Sequence, residues 1–452
     1  MNTIKSIAIK SIAIGALAVF YQQFACAGIP IVHWKQASGV AVYLVQSDAV
    51  PMVDIQIDLD AGGRRDPPAK AGLASLTAGM ISKGVLAKGA DPALDENALG
   101  EAWADLGASF GASAGSDRLS FYLRSLTYPD LLPKAVALAA RQLAEPAFPA
   151  AVWARERQRI GAAIKESNTR PATVAGRAFA KAVYGSHPYG FEMTEQTLAR
   201  IEVSDMRSLY AGWLQPCRAK VSIVGSVTRE QADDMVTQLL ARLPGASGQA
   251  CRALAAVPEV EPLQAAQDLR IAFDSSQAHV LIGQPGFKRN DPDFFPLTVG
   301  NYILGGGGFV SRLTEEVREK RGLSYSVYSY FAPGLHAGAF TLGLQTRPDQ
   351  AQQAVQVSRE VVRRFVSEGP TADELKAAKD NLIGGFALRI DSNRKLLDNV
   401  SNIAWNNLAL DYLDTWTQQV ERVTLADIRA AFARKLQPEK MVTVVVGAAP
   451  AR

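Results

Sequence analysis

The sequence predicts an α+β fold built from two homologous lobes, each a mostly antiparallel sheet covered by helices on one face. Three observations carry this expectation: blocks of sequence recur at a nearly constant offset, each copy moves from strand-like alternation into helical periodicity, and 48% apolar content over 452 residues supplies sizeable cores. Residues 119–130 read Leu-Ser-Phe-Tyr-Leu-Arg-Ser-Leu-Thr-Tyr-Pro-Asp, and residues 339–349 read Ala-Phe-Thr-Leu-Gly-Leu-Gln-Thr-Arg-Pro-Asp, with Pro129 and Pro348 lying 219 apart. Val203-Ser204-Asp205-Met206-Arg207, Leu214-Gln215-Pro216 and the stretch 221–225 recur as 423–429, Leu436-Gln437-Pro438 and 442–447, so that Pro216 and Pro438 are 222 apart.

Taken in order, the chain opens with a segment of its own. Lys5 and Lys10 precede the uncharged run 12–20, and Ala25-Cys26-Ala27 offers small residues where a signal peptidase reads them, so residues 1–27 are expected to be a secretory signal. The alternative is a lipoprotein signal ending at Cys26, against which Gln23 stands where an aliphatic residue is wanted. The run is too short for a permanent span, and no later stretch reaches the roughly 20 apolar residues a membrane helix needs. Cleavage near Ala27 makes the expected location periplasmic or secreted, and leaves 46 basic against 44 acidic residues. Such near-neutrality, without a basic run, gives nucleic-acid binding no support. Cys217 and Cys251 would remain, free to pair in an oxidising compartment or to stay as two buried thiols.

The first lobe is expected over residues 28–242. Alternation at 53–59 predicts a strand, alternation at 119–126 another, and residues 131–143 a helix. Residues 243–264, with Pro244-Gly245, Gly248, Pro258 and Pro262 and few core signals, read as a linker. The second lobe, 265–452, repeats the order with a strand at 279–283, a helix at 350–366 and a terminal strand ending in Val-Gly.

Within the first lobe, Leu73, Leu76, Thr77, Met80 and Ile81 recur at helical spacing behind Pro67-Pro68. The frame Gly72-Leu73-Ala74-Ser75-Leu76-Thr77-Ala78-Gly79-Met80-Ile81-Ser82-Lys83-Gly84 resembles the helix on which pitrilysin/insulinase-type zinc peptidases carry the inverted motif His-x-x-Glu-His. Ser75 and Gly79 stand at the two histidine positions and Ala78 at the general-base glutamate. Fixing the later ligand helix on Pro171 puts Ala163 where the resemblance implies a ligand glutamate, with Glu156 and Glu166 flanking it as solvated charges. The resemblance covers nearly the whole mature chain and includes His187-Pro188-Tyr189-Gly190; it implies lobes facing each other like a clamshell around a peptide-binding chamber. His33, His187, His279 and His336 show no pair at ligand spacing and read as structural or surface groups.

Two further patterns are weaker. Gly111-Ala112-Ser113-Ala114-Gly115 matches the form of a nucleophile elbow but runs into a strand rather than a helix, which argues against Ser113 as a nucleophile. Gly305-Gly306-Gly307-Gly308 lacks the Lys-Ser/Thr of a phosphate loop. It opens a more informative run: a helix expected over 311–321, stopped by Gly322, then a strand over 323–330. This puts Arg318 in the last helical turn and Tyr325 early on the strand. In the resembling peptidases an Arg and a Tyr seven residues apart hold substrate carbonyls near the scissile bond, the fork of the guanidinium and the phenol hydroxyl being suited to a developing oxyanion.

Taken together, the resemblance implies a non-catalytic subunit of a two-chain zinc endopeptidase, with no metal of its own. A homologous partner carrying His-x-x-Glu-His would supply zinc and general base, and this chain Arg318 and Tyr325. Substrates would be unfolded peptides added as an extra strand at a sheet edge. The rival readings are a peptide-binding or structural module without peptidase activity, and an independent hydrolase using Ser113.

Overall fold

The computed structural model describes residues 28–244, 251 and 253–447; the expected signal segment 1–27, with Cys26, lies outside them. Strands β1 (Val32–Lys35), β2 (Ala41–Gln46) and β3 (Met52–Leu59) open the chain, and β4 (Gly84–Val85) and β5 (Leu94–Asp95) form a separate two-residue pair. The hairpin β6 (Ser109–Ala114) and β7 (Leu119–Leu126) and the returning β8 (Lys220–Gly225) complete a six-stranded sheet in the order β1-β2-β8-β3-β7-β6. A second sheet holds β9 (Gln267–Ile271), β10 (Ala278–Phe287), β11 (Val327–Phe331), β12 (Gly338–Thr346) and β13 (Val442–Val446) in the order β11-β12-β10-β13-β9.

Without β1, the two orders superpose strand for strand. In each sheet one pair is parallel, β2 with β8 and β13 with β9, and it lies in the same place. The repeated sequence blocks fall on equivalent elements: helices Val203–Trp213 and Leu425–Lys435, the turns Pro216–Arg218 and Pro438–Lys440, then β8 and β13. One fold is therefore written twice.

Period-two patterning decides one face of each sheet. Val53, Ile55, Ile57 and Leu59 of β3 enter the first core beneath helices such as Leu132–Ala144, and Phe340, Leu342 and Leu344 of β12 enter the second. The opposite faces are covered as well, each by one helix from the other copy. Asn393–Asn406 lies across β8, β3 and β2, while Pro171–Tyr184 lies across β10 and β13. The first of these contacts is polar at its centre: the fully buried Asp58 accepts from Ser120 Oγ (2.5 Å), Gln56 Nε2 (2.8 Å), Ser401 Oγ (2.9 Å) and Arg118 Nη1 (3.0 Å). The second is apolar, with Phe179 resting on Gly283, where a Cβ would come within 2.8 Å of the ring.

A junction network ties the two copies beside these helices. Asp117, in the β6–β7 turn, accepts from Tyr189 Oη (2.6 Å), Arg64 Nε (3.0 Å) and the Leu335 amide (3.0 Å). Cys217 and Cys251 form a disulfide, with Cα atoms 5.9 Å apart, that fastens the stretch between the copies to the turn before β8.

Candidate functional site

Helix Leu73–Met80 is set by its entry. Gly72 has φ 101°, and a side chain there would strike Met193. The buried Asp66 caps the first turn, accepting from the amides of Gly72 (2.9 Å) and Ala74 (3.0 Å). Leu73, Leu76, Thr77, Ala78 and Met80 turn into the protein, whereas Ser75 and Gly79, one turn apart, face out. Gly79 is open: a Cβ placed there meets nothing within 4 Å. Ser75 Oγ reaches only the Ala114 carbonyl, at a long 3.5 Å, at the end of the edge strand β6.

The expected third ligand position, Ala163, is an exposed methyl on helix Ala150–Ser167. Glu156 is committed to Arg159 (2.8 Å) and Lys83 (3.8 Å), and the cations around it hold its carboxyl below the usual range, led by the hydrogen bond from Arg159. Glu166 pairs with Arg170 at the surface. A hydroxyl, a hydrogen and two methyl groups do not make a zinc site, and among the described residues no group of three or more His, Cys, Asp or Glu side chains is gathered to hold a metal.

The second copy carries the expected Arg–Tyr pair. Helical structure starts at Arg312 and widens into a π turn over Thr314–Glu319, an arrangement the sequence pattern did not announce. Gly322, at φ 60°, ends it: its amide bonds to the Arg318 carbonyl and that of Leu323 to the Val317 carbonyl. Tyr325 lies in a bend two residues before β11, and not on the strand as expected. Ser324 Oγ takes the carbonyls of Ser326 and Gln345, and ladder pairing begins only at Val327 with Leu344. Released from the pleat, the Tyr325 side chain is 83% exposed, and its ring centroid lies 4.5 Å from the Arg318 guanidinium carbon. Arg318 also pairs with Glu319 at 3.2 Å. A groove of about 420 Å³ is lined by Ser326, Tyr328 and Tyr330 and by Ala175 and Gly176 of helix Pro171–Tyr184, with neither Arg318 nor Tyr325 among its lining residues.

Ser113 sits inside β6 opposite Ser120, its hydroxyl donating to Tyr122 Oη at 3.3 Å. An elbow needs a strand-to-helix turn, so the position offers no activated nucleophile. The four histidines do not all stay apart: the rings of His187 and His336 lie 5.1 Å from each other, with Tyr189 against both. His187 accepts from the Tyr189 amide and donates to the Pro258 carbonyl, and burial followed by the nearby His336 pushes its pKa down. Only the fold, joining residues 149 apart in sequence, reveals that pair.

Comparisons with known proteins agree with this fold. Residues 41–196 match the family model "Insulinase (Peptidase family M16)" and residues 200–382 the model "Peptidase M16 inactive domain". The chain is similar to the crystal structure of a peptidase M16 inactive domain from Pseudomonas fluorescens, with a TM-score of 0.86 and 32% identity, covering 93% of this chain and 99% of that one. It is 26% identical over 427 residues to the "non-peptidase homolog YmxG" of Helicobacter pylori, covering 91% of this chain and 90% of that protein. It is 25% identical over 368 residues to the "uncharacterized zinc protease YmxG" of Bacillus subtilis, covering 81% and 86%. With one family model matching residues 41–196 and the other residues 200–382, this chain belongs to peptidase family M16, the insulinase and pitrilysin family.

Proposed function

We propose that this chain is the non-catalytic, substrate-holding subunit of a heteromeric M16 endopeptidase, paired with a homologous chain that brings His-x-x-Glu-His and its zinc. One observation carries the reading: the motif helix is stripped to Ser75 and Gly79, while a half-buried Arg318 and an exposed Tyr325 stand together. An exposed tyrosine and an arginine without a bidentate carboxylate are costly decorations for a scaffold, and ready groups for holding a peptide carbonyl. The partner would perform the bond cleavage; this chain would close the chamber and present its arginine fork and phenol to an unfolded peptide laid along a sheet edge. The disulfide accords with a periplasmic or secreted location.

The test is reconstitution. Metal and peptide cleavage should appear only when this chain is mixed with a motif-bearing M16 chain. In that complex, Arg318→Ala or Tyr325→Phe should lower kcat about 100-fold, the scale of one lost oxyanion donor. Cleavage by this chain alone after zinc loading would refute the assignment.

A further inference from the structure

The four-glycine run has so far no part in this function. Its glycines are packing requirements: a Cβ on Gly305 would lie 2.5 Å from Ser329 Oγ, on Gly306 2.8 Å from Asn301 Nδ2, and on Gly307 2.7 Å from the Tyr302 carbonyl oxygen. Gly308 then turns through φ 61° into the short turn Gly308–Val310, closed by Ser311, whose amide and hydroxyl both bond to the Gly308 carbonyl at 3.1 and 2.8 Å. The product of this construction is Phe309, 71% exposed. Its ring centroid lies 4.6 Å from the Arg318 guanidinium carbon, nearly matching the 4.5 Å to Tyr325.

We propose that Phe309 is a positioning residue for Arg318: with Tyr325 it forms a two-ring clamp that holds the guanidinium and leaves its outer N–H edge to bind peptide carbonyls. This rests on the substrate-holding role of Arg318 and deepens it. An arginine on a flexible stem loses rotamer freedom each time it engages a ligand, and stacking against aromatic rings removes part of that freedom beforehand. The clamp also explains an otherwise unfavourable choice, a phenylalanine held out in water on a rigid glycine platform. Glu319 occupies the Nε side at 3.2 Å, so under this proposal the two terminal nitrogens are the ones left to bind a ligand.

The clamp is read first in the full-length chain alone. The Nε–Hε NMR resonance of Arg318, assigned by its loss in Arg318→Lys, should be displaced upfield by the rings. It should move downfield in Phe309→Leu and stay displaced in Phe309→Trp. Since Phe309 lies outside the cores, these variants should melt with the parent. In the reconstituted complex, with a quenched fluorescent unstructured peptide as probe, Phe309→Leu should lower kcat/KM about three- to five-fold, the scale of one exposed cation–π contact. Phe309→Trp should restore the rate, and Phe309→Leu should cost nothing further once Arg318 is alanine. An unshifted Arg318 resonance overturns the clamp. Normal cleavage by Phe309→Leu beside a crippled Arg318→Ala overturns the positioning role and leaves the function standing. Normal cleavage by Arg318→Ala overturns both.

Discussion

At the scale of single residues, the degenerate motif is uneven in how far it has closed. Ser75 and Gly79 still face solvent on one side of their helix, and a Cβ at Gly79 would meet nothing within 4 Å. Ala78, the position expected for the general base, is 4% exposed and belongs to the core. Restoration should therefore split. Ser75→His with Gly79→His should fold, with the glycine change favouring the helix by about 0.3–0.5 kcal/mol, and should take up zinc by isothermal calorimetry. No heat of binding in a folded double variant would mean that the two positions no longer share a usable face. Ala78→Glu should instead cost about 2 kcal/mol or more in urea unfolding, because it buries a carboxylate with no partner. The helix Leu73–Met80 was legible because apolar residues recur at the 3.6-residue period whatever its outward positions carry. The His187–His336 contact was not, since nothing local in sequence encodes a meeting between copies.

At the scale of elements, the motif helix depends on a cap that works against its own charge. Among the described residues Asp66 has no ion pair with a cation; burial pushes its carboxyl up to about 6, against the lowering effect of the backbone amides it caps. A folded-state value above the unfolded one of about 3.9 means that the native state binds this proton more tightly. Its contribution to stability is thus least above about pH 6 and grows as pH falls towards about 4, by an amount on the order of 3 kcal/mol. Carboxylates held low by cations, such as Glu96 and Glu156, act in the opposite direction, so the comparison must be between variants. Relative to the parent, Asp66→Asn should lose stability more at pH 4.5 than at pH 7.5 in urea titrations; equal losses at both would disprove the assignment. Elements themselves were read well where alternation was long, as in β3 and β7. Tyr325 escaped because Ser324 diverts two carbonyls from the ladder, a side-chain choice that the apolar pattern of 323–330 does not show.

For the molecule as a whole, the repeat predicted two like sheets with helices on one face, and the patterning could go no further. Amphipathic helices such as Pro171–Tyr184 and Asn393–Asn406 declare an apolar side without naming the sheet it meets, and each turns out to cross to the other copy. This exchange has a thermodynamic consequence. Separating the sheets would strip Phe179 and Ala175 from Val442, Val444 and Val446, and would leave Asp58 without Ser401 inside the first sheet. Neither copy then has a complete core, so the two should unfold together. Calorimetry of the full chain should give one transition whose calorimetric and van't Hoff enthalpies agree. Phe179→Ala, removing a side chain that is 6% exposed, should lower stability by about 3–4 kcal/mol while keeping a single transition. Hydrogen exchange should register that loss in β3 and β8 as well as in β10 and β13, although Phe179 packs on the second sheet. If the parent melts in two steps, or if Phe179→Ala weakens β10 and β13 alone, the copies are independent units and the exchanged helices are no more than surface cover.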